Sequence, residues 1–346
     1  MDLFSIIFFA VGVPLTILTA IYAHSTYRYA RADLAQQAGR YDEAERRLKK
    51  AATGINPFGR GIAYAALANI YLKTGRPHDA VASLRETVQR TKTPGTVMAA
   101  YQLFIDAALH PDNPGTPDGY LGEGEKLLTA TRMPGGMKGV LYGQYAHTWW
   151  KLGNLTETKR LIDLALDSDP LNASALYLAA WLELSEGRVE EAEDHFRNLA
   201  AVRDKEQRPL GVYGLATSAF YQDDLKQADY LYGRVIAEGS KLIEPFTYAR
   251  MVICRQLMGQ EARNLLVKAE KSLHDLQKRQ NLPQDSSAKW LIHMARAYLE
   301  GNREYAREAL RMAPPQERSE AEALASGLVP DIRAEHWSLK PPQAQY

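Results

Sequence analysis

Between Gly139 and Asp204 the chain contains one pattern twice, and that periodicity limits the folds open to it. In the first copy Tyr142, Ala146, Trp149, Gly153, Ile162, Ala165 and Pro170 stand at offsets 4, 8, 11, 15, 24, 27 and 32. In the second, Leu176, Ala180, Gly187, Ala192, Phe196 and Leu199 stand at 4, 8, 15, 20, 24 and 27. Each copy reads as two amphipathic helices split by a glycine, which turns the chain at no steric cost. Small residues at offsets 8 and 20 let the paired helices approach closely, and large ones at 4, 11 and 24 fill the space around them.

The 20-24-27 triplet recurs as Ala44/Leu48/Ala51, Ala80/Leu84/Thr87, Gly124/Leu128/Thr131, Thr158/Ile162/Ala165 and Ala192/Phe196/Leu199. It continues as Ala228/Tyr232/Val235, Ala262/Leu266/Ala269 and Ala306/Leu310/Ala313. First members are 36, 44, 34, 34, 36, 34 and 44 residues apart, and both intervals of 44 equal 34 plus an insertion of 10. One insertion is His110 to Gly119, whose prolines and glycines forbid helix; the other lies within Gln277 to Ser287. Gly39, Gly75, Gly153, Gly187, Gly259 and Gly301 keep register with the triplets, which an unrelated helical bundle would not do.

This pattern resembles the tetratricopeptide repeat, a helix–turn–helix unit of about 34 residues. The resemblance implies an all-α fold, a superhelical solenoid of about eight repeats over residues 25–315. After Pro314 and Pro315 the pattern stops. Glu317 to Ser326 is predicted to form one more amphipathic helix, the cap that an open-ended array needs. Together with an extended tail it makes up residues 316–346. The tail from Val329 onward either frays, the commoner fate of a terminus, or packs along the array through Trp337.

Leu3 to Ala23 carries no charged residue. At ~1.5 Å per residue it is long enough, roughly 31 Å, to cross a hydrocarbon core. Membrane helices tolerate a kink such as Pro14. A cleaved signal peptide would need a basic leader and a shorter apolar run, whereas only Met1 and Asp2 precede this one. Residues 1–24 are therefore expected to be a retained transmembrane anchor. Arg28, Arg31, Arg40, Arg46, Arg47, Lys49 and Lys50 follow it, and positive residues stay inside, so the array is expected to face the cytoplasm.

Chemistry is poorly represented. Lys and Arg number 42 against 41 Asp and Glu, a net charge of +1 that gives no global field to attract nucleic acid. The single cysteine, Cys254, rules out an internal disulfide and a thiolate zinc cage. HExxH, GxSxG, GxxxxGK[ST] and CxxC are all missing, and the eight histidines include no i, i+4 pair. No enzymatic activity, cofactor or metal is expected. Asn154-Leu155-Thr156 and Asn172-Ala173-Ser174 match glycosylation sequons, which carry no meaning in a cytoplasmic domain.

A binding surface is the better candidate. In proteins of this repeat type the first helix of each pair lines a concave inner face through offsets 2, 5, 9, 12 and 13. The resemblance carries that role onto Asn69 and Lys73, then His147, Trp150 and Lys151, then Tyr177 and Trp181, then Tyr213, Phe220 and Tyr221. Aromatics at helical spacing are often core. Here, though, core duty already falls to other offsets, so these point to a hydrophobic groove for a peptide or helix. A clamp for a carboxylate terminus lacks its cations, since offset 5 is Ala65 in one repeat and Gly143 in another.

The layout of anchor plus array is similar to that of bacterial inner-membrane adaptor and assembly proteins with such repeats. It implies a scaffold that gathers a protein partner, a component of a membrane complex, at the bilayer, where tethering raises effective concentration. A terminal cysteine metal knuckle, found in one such adaptor, has no counterpart beyond Cys254. Two other readings stand beside it: an envelope or pilus-assembly component facing the periplasm, and a regulatory subunit of a membrane enzyme.

Overall fold

The computed structural model describes residues 27, 29–54, 57–91, 93–280, 288–329, 332 and 337–342, and among these no residue is in a strand. A helix over 29–37 (α1) leads into α2 (Tyr41–Ala52), α3 (Pro57–Lys73), α4 (Pro77–Arg90), α5 (Pro94–Ala108) and α6 (Pro117–Ala130). Then follow α7 (Gly135–Lys151), α8 (Leu155–Ser168), α9 (Ala173–Ser185), α10 (Val189–Ala200), α11 (Arg208–Tyr221) and α12 (Leu225–Glu238). The series closes with α13 (Glu244–Leu257), α14 (Arg263–Gln280), α15 (Ala288–Glu300), α16 (Arg303–Met312) and α17 (Arg318–Ser326). The chain divides into two compact units that meet in sequence at Leu141 and Tyr142, inside α7. Among the described residues no helix is long and apolar enough to cross a membrane. The anchor expected at residues 3–23 lies outside the described residues.

In the first unit α2 to α6 pack pairwise in chain order around Leu48, Leu67, Ile70, Leu84, Tyr101, Phe104, Leu121 and Leu128, all buried. The insertion expected to exclude helix from His110 to Gly119 is shorter than its sequence suggests. Pro117 opens α6, since proline's fixed φ and missing N–H are tolerated in a helix's first turn. The loop that remains is tied down: His110 Nε2 sits 2.9 Å from the Leu72 carbonyl, and Asn113 Nδ2 donates to Ala108 O at 3.0 Å.

In the second unit the two helices of a repeat have different jobs. The first of each pair lies between neighbours and is apolar around most of its girth: α9 buries Ala175, Leu176, Leu178, Ala179, Ala180, Leu182 and Leu184. The second is amphipathic, α10 burying only Ala192, Phe196 and Leu199 along one stripe. The turn between them needs a left-handed residue, and Gly153 and Gly187 supply it at φ 78° and 81°. In the next repeat Asp223 fills that slot at φ 64°, a conformation that aspartate tolerates better than most residues. Asp224 beside it caps α12 by accepting from Gln227 N at 3.0 Å. The two sequon asparagines do the same work: Asn154 accepts from Glu157 N at 3.1 Å and Asn172 from Ala175 N at 2.9 Å.

The repeat register slips once. Six other triplets begin five residues after a left-handed turn residue, as in Gly153 to Thr158, Gly187 to Ala192 and Asp223 to Ala228, while the one at Gly124 follows no such residue. After Gly259 it begins at Ala262, three residues on, ahead of the first residue of α14. The tail also departs from the fraying expected of a terminus: Trp337, Pro341 and Pro342 are buried. The predicted cap helix forms as α17, over nearly the residues expected.

Candidate functional site

The first helices of successive repeats bring their inner-face residues together within the second unit. Gln144, His147, Trp150 and Lys151 of α7 share one cavity of about 590 Å³ with Tyr177 and Trp181 of α9 and Tyr213 of α11. Phe246 and Arg250 of α13 and Trp290 of α15 continue its wall, and Glu317, Glu320 and Trp337 close it from the C-terminal side. A volume of this size, aromatic walls and a few polar groups are the usual attributes of a ligand site.

Six of the ten residues expected at the inner face therefore line one cavity: His147, Trp150, Lys151, Tyr177, Trp181 and Tyr213. Asn69 and Lys73 belong to the first unit, half-buried and exposed respectively, and line none of it. Phe220 is a correction. Its side chain is 0% exposed, so it is core, enclosed where α11 packs between its neighbours. Tyr221 is also buried, because Trp337 lies over it with ring centroids 5.3 Å apart.

The aromatic lining forms two groups of rings in contact, one around Trp181 and one of His147 with Trp150. Trp181 meets Tyr177 at 6.0 Å, Phe196 at 6.0 Å, Tyr213 at 6.4 Å and Trp337 at 6.5 Å between centroids. His147 stacks near Trp150 at 5.8 Å. Burial lowers the His147 imidazole to about 4, helped by the Lys151 charge, so the ring is neutral at pH 7. Burial pushes the Tyr213 phenol up to about 12, with the Glu320 carboxylate adding and Arg250 opposing.

Sequence reasoning passed over the polar end of the site. Arg250 is 1% exposed and its guanidinium lies over the Phe220 and Tyr221 rings, 5.8 and 6.0 Å from their centroids. Its Nη2 donates to Glu320, whose carboxylate also accepts from the Tyr221 hydroxyl at 3.3 Å. Burial alone would lower this arginine's pKa. Glu320 and the phenols of Tyr213, Tyr221 and Tyr232 outweigh that and raise it well above its ordinary value. Glu317 accepts a hydrogen bond from Trp290 Nε1. Burial pushes its carboxyl up to about 7, the Trp290 bond opposing and the Glu320 charge adding. The available signal was an arginine set among Ala249, Met251, Val252 and Ile253, since a charge in an apolar run needs a partner.

Residues 29–91 and 146–208 match the family model described as tetratricopeptide repeat, and over those stretches the chain carries such repeats. The crystal structure of the P58(IPK) TPR domain is similar over 87% of this chain and 98% of that one, with 14% sequence identity and a TM-score of 0.22. No curated protein matches the chain.

Proposed function

We propose that this protein is a membrane-tethered scaffold whose second unit grips a protein partner through the cavity lined by α7, α9, α11, α13 and α15. Tetratricopeptide repeats generally serve as platforms for other polypeptides. The observation that carries the reading is one cavity walled by Trp150, Tyr177, Trp181 and Tyr213, which presents Trp and Tyr as anchors beside open volume. Residues 3–23 supply the tether and the basic flank after them orients the repeats toward the cytoplasm. Catalysis is left to whatever the scaffold assembles.

A photo-crosslinking residue placed in turn at Lys151, on the cavity, and at Tyr230, 63% exposed and outside it, tests this in the native membrane. Lys151 should give a discrete partner adduct and Tyr230 none. Equal adducts from both positions, or no adduct from Lys151, would remove the cavity from partner binding. Recovery of the protein in the alkaline-washed membrane fraction should require residues 3–23.

A further inference from the structure

The C-terminal segment steps back across the inner face of the second unit and fills part of it. Glu317 touches Trp290 of α15, and Glu320 reaches Arg250 of α13 and Tyr221 of α11. Trp337 then packs on Tyr221 and on Trp181 of α9, and Ser338 N donates to the Ser185 carbonyl at 2.8 Å. Ser338 and Leu339 lie beside Gly187, where an added Cβ would stand 3.2 Å from Ser338 Cβ. Burial follows the pattern of an extended ligand. Trp337 points in, Ser338 and Lys340 are exposed, Leu339 is half-buried, and Pro341 and Pro342 are buried again.

We propose that this groove is a receptor for an extended segment led by an indole-sized side chain, with a leucine-sized residue two places on and proline four places on. Trp337 to Pro342 is its resident copy, displaced by a partner segment of the same chemistry. The inference rests on the scaffold reading above and names what that scaffold takes. Three observations carry it. The resident copy is an imperfect match: among the described residues Trp337 Nε1 is buried without a hydrogen-bond partner, which costs binding energy that a partner offering a carbonyl oxygen would recover. Main-chain attachment is slight, since among the described residues Ser338 to Ser185 is the one backbone hydrogen bond between the tail and the repeats. Unfilled volume continues past Trp337 toward His147 and Trp150, room for a segment longer than the resident.

Tethering explains how so slight an attachment persists. A short linker holds its own segment at an effective concentration of about millimolar, so weak intrinsic affinity suffices in cis. Proline after the anchor residues favours the extended conformation before binding and lowers the ordering cost for either segment.

The test uses the full-length chain and a labelled peptide of sequence Trp-Ser-Leu-Lys-Pro-Pro, acetylated and amidated, read by fluorescence anisotropy. Trp337→Ala empties the anchor position, so half-saturation should fall at least tenfold relative to the unsubstituted protein. The same peptide with alanine in place of tryptophan should bind neither. Ser338→Pro deletes the N–H donated to Ser185 while leaving the indole in the chain, and it should also improve peptide binding. It serves where Trp337→Ala fails to fold. Folded variants that gain no affinity for the peptide overturn the proposal. So does a rise in mass with concentration in the unsubstituted protein, which would mean that tails exchange between copies. Partner adducts at Lys151 without peptide binding leave the scaffold and remove the resident copy; peptide binding without adducts does the reverse.

Discussion

Arg250 and Glu320, 70 residues apart in sequence, form an ion pair whose side chains are 1% and 10% exposed. A charge so enclosed is tolerable only while its partner is present, because desolvation penalises whichever ion is left alone. The pair fixes α17 against α13, and through Tyr221 it also reaches α11.

Glu320→Gln should destabilise the second unit by about 3–5 kcal/mol, leaving an arginine that cannot discard its charge. Arg250→Met should cost less, because a stranded carboxyl can take up a proton. The double variant should recover most of the loss. All five tryptophans, Trp149, Trp150, Trp181, Trp290 and Trp337, lie in the second unit, so urea unfolding followed by indole fluorescence reports on that unit alone. Equal losses from the two single variants would contradict the argument.

The Glu317 carboxyl has its folded pKa at about 7 against an ordinary 4.5, mainly through burial. Below pH 4.5 both folded and unfolded chains hold the proton and the group contributes nothing. Between 4.5 and 7 the unfolded chain gives it up first, so stability should fall as pH rises and level off above 7. His147, lowered to about 4, pulls the other way between 4 and its ordinary 6.5. The stability difference between the unsubstituted protein and Glu317→Gln cancels the histidine. That difference should decline from pH 4.5 to 7, and a flat difference would show that Glu317 is not held protonated.

Helix α11 approaches α10 so closely that Gly211 has no room for a side chain. An added Cβ would stand 2.7 Å from Phe196 O and 2.8 Å from Ala200 Cα, both backbone atoms. Gly211→Ala should therefore cost about 1–3 kcal/mol through forced separation of the two helices. Gly233, inside α12, has nothing within 4 Å of its would-be Cβ. Gly233→Ala should stabilise by roughly 0.5–1 kcal/mol, the helix-propensity difference. Paired thermal melts decide this: the two substitutions should move the midpoint in opposite directions.

The helix pairs were legible because their signal is local. A triplet of apolar residues and a turn glycine fix each pair within about 34 residues, and Gly153, Gly187 and Gly301 all adopt the left-handed turn that their spacing implies. Asp223 escaped notice because that turn needs a positive φ, not glycine as such. The inner-face positions of α7 and α9 were legible for the same reason, each offset following from the pair. What lay beyond reach was non-local. No spacing rule connects Trp337 with Trp181 or Glu320 with Arg250, since those contacts depend on how the chain after Pro315 folds back. Tyr221 leaves the open groove on that account, since Trp337 covers it, whereas Phe220 is enclosed by the neighbouring helices.

Sorting inner-face aromatics into lining and core makes one further claim that experiment can decide. Trp150 is half-buried, borders the cavity and stacks only on His147 among the ring contacts of the described residues. Phe220 is wholly enclosed and touches the Tyr221 ring edge-on at 5.2 Å. Truncating Phe220 opens a cavity in a packed interior, so Phe220→Ala should cost about 3–5 kcal/mol and reduce partner adducts only by unfolding the unit. Trp150→Ala removes contact area from an accessible wall, so its stability cost should stay near 0.5 kcal/mol. Partner adducts at Lys151, one residue away, should nevertheless drop severalfold. Helicity, melting midpoint and adduct yield measured on the same preparations separate the two cases. If Trp150→Ala melts as low as Phe220→Ala, or leaves adduct yield unchanged, the wall it belongs to is structural and the partner is held elsewhere.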